Sequence, residues 1–196
     1  MAKIGQRLAS QSQHEVVRRA SWMMGDVTTL SKLPRHDLVI LSYVIGEIAL
    51  ADQETLLKEV WEAAEVFCIV IEPGSHRGFE NIMTARSSLT RMGGSIVAPC
   101  PGNVACPMAD GADWCHFSQR LVRDVIHRRA KQAALPFEDE KFSYVAAAKN
   151  NVRANLESRI LRSPRKHRRL VNLDLCTRSG RTQIQIPKSS ADAYRL

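Results

Sequence analysis

Features of membrane-spanning, secreted and repetitive proteins are missing from this sequence. It contains no run of eighteen or more apolar residues, so no transmembrane helix is predicted. The N-terminal stretch MAKIGQRLASQSQHEVVRR lacks the apolar core of a secretory signal. Internal repeats and low-complexity segments are also absent. These absences predict a globular protein of the cytoplasm that has no membrane partner.

The cysteines do not fit a disulfide framework, because their number is odd, five, and no secretory signal accompanies them. Cysteines in such a chain favour metal, cluster or redox chemistry. Cys68 lies in the apolar stretch VFCIVI and is predicted to be a buried small hydrophobe. Cys100, Cys106 and Cys115 have the spacing C-x5-C-x8-C in a loop with proline and glycine. Cys176, in the strand-like stretch LVNLDLC, completes a candidate four-thiolate site.

Two kinds of metal group suit four thiolates placed in this way. An iron–sulfur cluster needs soft ligands on backbone loose enough to wrap it, which this loop provides. Tetrahedral zinc is the alternative, although the short CxxC pairs of zinc ribbons are missing. Thiols that bind no metal are the third interpretation. His116 follows Cys115 directly and is either a further ligand or a histidine packed beside the site.

Positive charge is in excess over the whole chain and is concentrated near its C-terminal end. The sequence has 28 Lys and Arg against 20 Asp and Glu, a formal net charge of +8. A soluble domain this basic favours a nucleic acid or an anionic surface as its partner, and a basic surface with no specific partner is the alternative. Residues 159–169 contain no carboxylate, and Pro164 is expected to keep them out of a helix. The candidate phosphate contacts are Arg159, Arg162, Arg165, Lys166, Arg168 and Arg169.

Apolar runs alternate with amphipathic stretches through the first half of the chain. We predict strands at 20–24, 37–42, 67–71 and 95–98, and helices at 3–20, 56–64 and 79–92. This alternation is typical of an α/β fold with a mostly parallel sheet. Two domains are predicted: an α/β domain over 1–150 with a cysteine loop at 98–117, and a basic segment with a β-hairpin over 151–196.

The segment after Cys115 predicts a basic helix, which carries Arg120, Arg123, Arg128 and Lys131. An acidic turn at 138–140 is expected to pair with this helix, and a strand at 142–146 follows. Further on, LVNLDLC and RTQIQIPK alternate apolar and polar residues and predict the hairpin.

Polar residues at the ends of the predicted strands indicate a cofactor crevice. Ligands of parallel sheets bind at the carboxyl ends of the strands. Asp26, Ser42 and Tyr43 lie at or just beyond such ends and are the candidate cofactor-binding residues. Asp26 suits a ribose or adenine contact, and an aspartate in an ordinary turn is the alternative for it.

Several segments are distinctive in combination: SYVIGE, IEPGS, APCP, WCHFSQR, EDEKFSY and LDLC. In this combination the chain resembles the methyltransferase-like family of ribosomal small-subunit assembly proteins, found in bacteria and mitochondria. The likeness runs from about Trp22 to Lys188, and WCHFSQR and EDEKFSY are its specific motifs. It implies a Rossmann-like class I S-adenosylmethionine-dependent methyltransferase fold, binding to small-subunit ribosomal RNA, and a [4Fe–4S] cluster. The implied cluster ligands are Cys100, Cys106, Cys115 and Cys176.

One departure from the family pattern concerns the methyl donor. The class I fold opens with a strand and a Gly-rich loop that hold S-adenosylmethionine, and no G-x-G motif occurs before the first strands of this chain. We therefore expect a Rossmann-like sheet truncated at its N-terminus, with a small C-terminal β-hairpin appendage. S-adenosylmethionine is expected to bind weakly or not at all. A smaller departure is Gly102, where the family pattern leads us to expect a polar residue.

These observations predict a factor that binds small-subunit ribosomal RNA during ribosome assembly and carries a structural [4Fe–4S] cluster. A ribosomal RNA methyltransferase whose N-terminal part lies upstream is the rival from another class. A zinc-stabilised RNA-binding module is the third hypothesis. The sequence indicates no catalytic residue and no oligomeric state.

Overall fold

The computed structural model describes residues 2–29, 32–150, 152 and 156–190. Asn151, at the predicted domain boundary, and residues 191–196, at the end of the predicted second domain, lie outside the described residues. The helices are α1 Ala2–Ser10, α2 Glu15–Arg18, α3 Leu50–Ala63, α4 His76–Arg91 and α5 Val125–Ala130, with a 3-10 turn at Ile45–Glu47. The strands are β1 His36–Ser42, β2 Ala64–Pro73, β3 Ser95–Ala98, β4 Phe117–Val122, β5 Phe137–Ala148, β6 Ser158–Ile160, β7 Arg165–Lys166, β8 Leu170–Thr177 and β9 Gly180–Pro187.

The first sheet is mixed, in the strand order β1-β2-β5-β3, with β4 also paired to β5. The strands predicted at 37–42, 67–71 and 95–98 are confirmed as β1, β2 and β3. The prediction of a mostly parallel sheet is wrong, because β1 and β2 are parallel whereas β5 runs antiparallel to β2, β3 and β4. The described residues therefore form a mixed α/β fold in which β5 is the central strand.

The basic helix and the acidic turn predicted after Cys115 are also corrected. Most of that segment is strand β4, and only Val125–Ala130 is helical. The acidic residues lie inside β5, where Asp139 faces Arg120 and Glu138 faces Leu121 across the ladder. Asp and Glu disfavour strands in isolation, but cross-strand ion pairs such as Arg120–Asp139, 2.7 Å, compensate for that preference. The predicted pairing of the basic and acidic groups is confirmed.

The strand predicted at 20–24 is wrong, and the helix predicted at 3–20 is divided into α1 and α2. Every residue from 20 to 24 is exposed, so no apolar face is available to hold a strand against the core. Trp22 lies instead against α1, where a Cβ atom on Gly5 would meet its ring at 2.6 Å. The apolar residues of this stretch do not mark a strand because they have no neighbouring strand to pair with in the described structure.

Helices α3 and α4 cover the sheet and form its core. Leu57 and Leu89, fully buried on these helices, pack with Val70, Ile96 and Val145 from three strands. Burial of this kind stabilises the fold by about 25 cal/mol per Å² of apolar surface. None of the described helices is long and apolar enough to cross a membrane.

Cys68 lies in the same core, fully buried on β2, as predicted. Burial raises the pKa of its thiol to about 12, so the thiol is neutral.

The second sheet is antiparallel and has β8 as its central strand. β6, β7 and β9 all pair with β8. The predicted hairpin is confirmed as β8 and β9, closed by a turn in which Gly180 has φ +121°. Such a φ favours glycine because a Cβ atom would be strained there. All strands of this sheet follow residue 157 and all strands of the first sheet precede residue 149, so each sheet is formed by a separate part of the chain.

Candidate metal centre

The cysteine loop occupies a defined place in the first sheet. β3 and β4 both pair with the edge of β5 that faces away from β2, β3 beside the C-terminal half of β5 and β4 beside its N-terminal half. Residues 99–116 connect these two strands and carry Cys100, Cys106 and Cys115. The topology therefore projects the three thiols from one edge of the sheet.

Polar side chains fix the first part of this loop to the sheet and to α4. Asn103 Oδ1 accepts the Ile96 N–H at 2.7 Å, and its Nδ2 donates to the Gly94 carbonyl at 3.0 Å. Arg86, on the buried face of α4, donates to the carbonyl oxygens of Gly102 and Val104. The loop backbone is thus ordered by hydrogen bonds from the domain core.

The last part of the loop is held in a similar way. Ser143, buried on β5, donates its hydroxyl to the Cys115 carbonyl at 2.8 Å. Trp114 Nε1 donates to the Gly74 carbonyl at 2.9 Å. His116 stacks at a tilt on Trp114, with ring centroids 5.5 Å apart, which matches the packed-histidine interpretation.

The second sheet brings the fourth cysteine to this loop. Cys176 on β8 is in direct register with Arg159 on β6, so their side chains lie on the same face. Asp113 joins the loop to the sheet, because its carboxylate accepts from Arg162 and, at 3.1 Å, from Arg181 Nη1. Arg181 Nη2 also donates to Asp174 at 2.5 Å. This network holds β6, β8 and β9 against the cysteine loop.

All four candidate cysteines line one small apolar cavity between the two sheets. About 20 Å³ of the cavity is open to a water-sized sphere. The other lining residues are Pro99, Pro101, Val104, Ala105, Pro107, Met108, Arg159 and Leu161. In the part of the chain that the structure describes, no three or more His, Cys, Asp or Glu side chains converge closely enough to hold a single metal ion. The four thiols thus share a cavity without meeting at one point.

The environment of three of the four thiols opposes their ionisation. Burial raises the pKa of Cys100 to about 11, and the nearby Arg86 guanidinium offsets part of this effect. Burial also raises the pKa of Cys106 and of Cys176. A thiol must lose its proton to bind a metal, and nearby positive charge favours that loss.

Positive charge is present at the cavity in Arg159, which lines it, and behind the cysteine loop in Arg86. Arg159 Nη1 donates to Cys115 Sγ at 2.7 Å, and its guanidinium lies 3.8 Å from the centre of the Phe117 ring. Within the described residues, the buried Nε atoms of Arg159 and Arg86 have no hydrogen-bond partner. Four soft donors with one buried and one partly buried cation beside them fit an anionic metal–thiolate group, so the residues present suit the implied cluster.

The candidate cofactor residues are not brought together by the described contacts. Asp26 accepts the Thr28 N–H at 2.9 Å and its hydroxyl at 2.7 Å, the geometry of an ordinary aspartate turn. Ser42 ends β1, and Tyr43 follows with φ +56° and its hydroxyl beside Glu140. No hydrogen bond in the described ranges joins Asp26 to Ser42 or Tyr43. Their predicted role with a cofactor stays a prediction.

The carboxylate of Glu72, at the end of β2, is hydrogen-bonded to groups of the same chain. Glu72 is 1% exposed and accepts the N–H groups of Val44, Ile45 and Gly46 at 3.0 to 3.2 Å. Asn81 Nδ2 adds a fourth hydrogen bond at 3.0 Å. Glu72 therefore fixes the loop after β1, and its acceptor sites are used within the chain.

The basic residues predicted to bind RNA divide into two groups. Arg159 and Arg162 turn inward, to Cys115 and to Asp113. The other four, Arg165, Lys166, Arg168 and Arg169, are exposed on and after β7. A second basic region is formed by Arg120, Arg123 and Lys131, on or next to β4 and α5. Ion pairs with Asp139 and Glu138 neutralise the positive charge of these side chains, so this region contributes less positive surface.

The sequence did not reveal Arg86, Asp113 or Ser143 as residues of the site. Ser143 lies between Phe142 and Tyr144 in EDEKFSY, and the alternation of these three residues is a local signal for a hydroxyl on one face of a strand. Arg86 lies on the buried face of the helix predicted at 79–92, which is a second local signal. Asp113 has no local signal, because its partners come from the second sheet.

Acid should loosen the contact between the cysteine loop and the second sheet. Partial burial raises the pKa of Asp113, but the hydrogen bond and charge of Arg162 outweigh it, so its net pKa is lowered. The hydrogen bond from Arg181 lowers the pKa of Asp174. A carboxyl whose folded pKa is lowered stabilises fully above its unfolded pKa, about 3.9, and loses this contribution as the pH falls further.

We therefore expect hydrogen exchange of the β8 and β9 amides to be constant from pH 7 to about pH 5, once corrected for intrinsic rates, and to accelerate below about pH 4. Asp113→Asn should lower the free energy of opening of the second sheet by about 1 kcal/mol or less at neutral pH, because the ion pair of Asp113 with Arg162 is partly solvated. The amides of β1 and β2 serve as the internal reference. Equal acid sensitivity of both sheets would contradict the assignment to Asp113 and Asp174.

The fold and the site together define a mixed α/β protein in which four cysteines line one cavity between a central sheet and a basic antiparallel appendage. The family profile described as "Rsm22: Mitochondrial small ribosomal subunit Rsm22" matches residues 1–196. The chain belongs to this Rsm22 family. It is 27% identical over 175 residues to the human "Ribosome assembly protein METTL17, mitochondrial". That alignment covers 82% of this chain and 37% of the human protein, so the chain spans well under half of that relative.

Proposed function

We propose that this protein is an assembly factor of the small ribosomal subunit that binds its ribosomal RNA through the second sheet. Family membership supports a role in assembly of the small ribosomal subunit. The family is named for the mitochondrial small ribosomal subunit, and the human relative is named for ribosome assembly. The exposed basic residues of 165–169 support the contact with RNA, because such side chains bind phosphate without reading sequence. Binding of S-adenosylmethionine and methyl transfer are not part of the proposal.

The observation that carries the proposal is the single cavity lined by all four cysteines. Cys100, Cys106 and Cys115 belong to the first sheet's loop, and Cys176 belongs to the second sheet. A group bound by all four would link the two sheets covalently through metal–sulfur bonds. The basic surface would then be held in a fixed position relative to the α/β domain.

We propose a [4Fe–4S] cluster as that group, and zinc as the alternative. A single zinc ion requires all four sulfurs about 2.3 Å from one point. A cubic cluster binds each thiolate through a different iron, so its sulfurs lie farther apart around a larger group. The four soft thiol donors that line one cavity suit either group, and the loop with proline and glycine that carries three of them supports the cluster. In this protein the cluster supplies cross-linking, and no reaction step is assigned to it.

Anaerobic purification followed by iron, sulfide and zinc analysis tests the metal assignment. We expect about four irons and four sulfides per chain and a broad absorbance near 400 nm, roughly where thiolate-bound clusters absorb. Close to one zinc per chain with no iron would replace the cluster by zinc and keep the cross-linking role. A folded chain with neither metal would reject the proposed centre.

A further inference from the structure

The cavity of the four cysteines is lined by Arg159, and Arg86 lies behind the cysteine loop, where it donates to two loop carbonyls. Arg86 is 8% exposed, and Arg159 is partly buried. In the described part of the chain, no salt bridge joins either of them to a carboxylate. Burying a cation without a counter-ion is costly, because the protein interior does not replace its hydration. The fold therefore indicates that an anionic group belongs beside these side chains.

The contacts of the two arginines indicate that this anionic group contains the cysteine sulfurs. Arg159 donates to the Cys115 sulfur at 2.7 Å and is held by the Phe117 ring beneath it. Its register partner across the ladder is Cys176. Arg86 comes from the opposite side, from α4, and its charge acts on Cys100. The Arg159 guanidinium thus lines the cavity from the second sheet, and the Arg86 guanidinium lies near Cys100 from helix α4.

Both side chains also have a donor still available. In the described part of the chain, the Nε–H groups of Arg86 and Arg159 are buried and make no hydrogen bond. An unpaired buried donor is rare in native proteins, because its lost hydration destabilises the fold. A sulfur or sulfide acceptor in the cavity would relieve this cost, since hydrogen bonds to the sulfurs are one way that proteins tune such centres.

We propose that Arg86 and Arg159 are the charge-compensating residues of the metal–thiolate centre and that Arg159, which the sequence assigned to RNA, serves the centre instead. Four thiolates outweigh the positive charge of a cluster core, and the two guanidinium groups offset this excess. Arg159 acts as a positioning residue, since it donates to the ligand sulfur rather than binding iron. This inference rests on the proposed cysteine centre and goes beyond it.

The test compares Arg159→Met with two other variants of the full chain. Methionine keeps much of the side-chain volume and removes the charge and the donors. Arg159→Lys keeps the charge and loses the planar donor geometry. Arg91→Met is the matched control, because it removes the same charge from α4 at an exposed site paired with Glu54. Circular dichroism establishes that each variant is folded before its metal is measured.

Two readouts follow, iron release to a chelator and the reduction potential of the bound cluster. Removal of a partner beside a metal ligand typically weakens metal binding 10- to 100-fold, so we expect Arg159→Met to release iron about 10-fold faster. We also expect a more negative reduction potential, because loss of a nearby cation disfavours the added electron. Arg159→Lys should fall between Arg159→Met and the wild type, and Arg91→Met should match the wild type in both readouts.

The outcomes separate the inference from the proposed function. An iron-loaded wild type with an unchanged potential and chelator sensitivity in Arg159→Met would overturn the inference and leave the proposed function standing. A wild type without iron or zinc would overturn both. A change of equal size in Arg91→Met would also overturn it, because the effect would then belong to the net charge of the protein. If Arg159→Met does not fold, Arg159→Lys takes its place, and wild-type behaviour of that variant in both readouts overturns the inference.

Discussion

Cys176→Ala is expected to lose nearly all bound iron and to release the second sheet from the first domain. Cys176 is the ligand contributed by β8, so its loss removes the only proposed metal–sulfur link between the two sheets. Loss of a structural metal is among the most destabilising changes that a single substitution causes. We expect a cost of about 4 kcal/mol, which lowers the melting temperature by roughly 10 °C for a chain of this size.

The matched control for this variant is Cys68→Ala. Both substitutions remove a buried thiol from a strand, but Cys68 lies in the apolar core of the first sheet and not on the cavity. Cys68→Ala should keep its iron and lose about 1 kcal/mol through the smaller side chain. Cys100→Ala should resemble Cys176→Ala in iron content. Wild-type iron in both cavity variants would reject the four-cysteine centre.

Hydrogen exchange distinguishes loss of the link from general unfolding. In Cys176→Ala the amides of β8 and β9 should exchange much faster, while those of β1 and β2 keep most of their protection. The remaining contacts, through Asp113 and its arginines, are partly solvated and contribute little by themselves. An equal loss of protection in both sheets would indicate that the centre stabilises the whole chain rather than the junction.

Local patterns were sufficient to predict the elements whose apolar residues follow one clear period. The continuous apolar runs of β1 and β2, the helix α4 and the β8–β9 hairpin all have the expected positions. In α4 the residues that set the pattern also pack in the core, as Ile82 and Leu89 do. In β1 the apolar run predicts the strand although only one of its faces packs in the core, because Leu41 is buried whereas Leu38 and Ile40 are exposed.

The direction and neighbours of β5 could not be predicted in the same way. Its first half, which begins FEDE, has the composition of a loop. It forms a strand because Arg120 on β4 and Arg123 just after β4 supply partners for its carboxylates. The pairing depends on residues more than ten positions away, so no local window contains it. The mostly parallel sheet was inferred from helix–strand alternation, which continues only as far as β3.

The candidate site also combines residues that local sequence predicts with residues that only long-range pairing brings into place. The four cysteines were found from residue type and spacing, because thiols of a metal site must be cysteines wherever they lie. The role of Arg159 depends instead on the register of β6 with β8, which places it beside Cys176. In the sequence it is one of several arginines in a basic segment, and nothing local separates it from Arg165 or Arg168.

Replacing Arg165, Lys166, Arg168 and Arg169 together by Ala is expected to weaken binding to small-subunit ribosomal RNA about 100-fold at physiological salt. These side chains are exposed on one short segment, where β7 meets the turn before β8. Each phosphate contact releases bound counter-ions from the RNA, so affinity falls as salt rises. Removal of four such contacts should make the slope of log K against log salt shallower by about 3.

A control of equal charge separates a defined surface from general attraction. Lys3, Arg7, Arg19 and Lys58 are exposed on or beside α1, α2 and α3, and replacing them by Ala removes the same formal charge. This control should shift affinity only slightly, because charges farther than about 8 Å from the RNA are screened at physiological salt. Iron content is measured for both variants, so that loss of the centre is not mistaken for loss of contact. Equal changes of slope in the two variants would show that net charge alone drives binding, and an unchanged slope in the first would place the RNA surface outside residues 165–169.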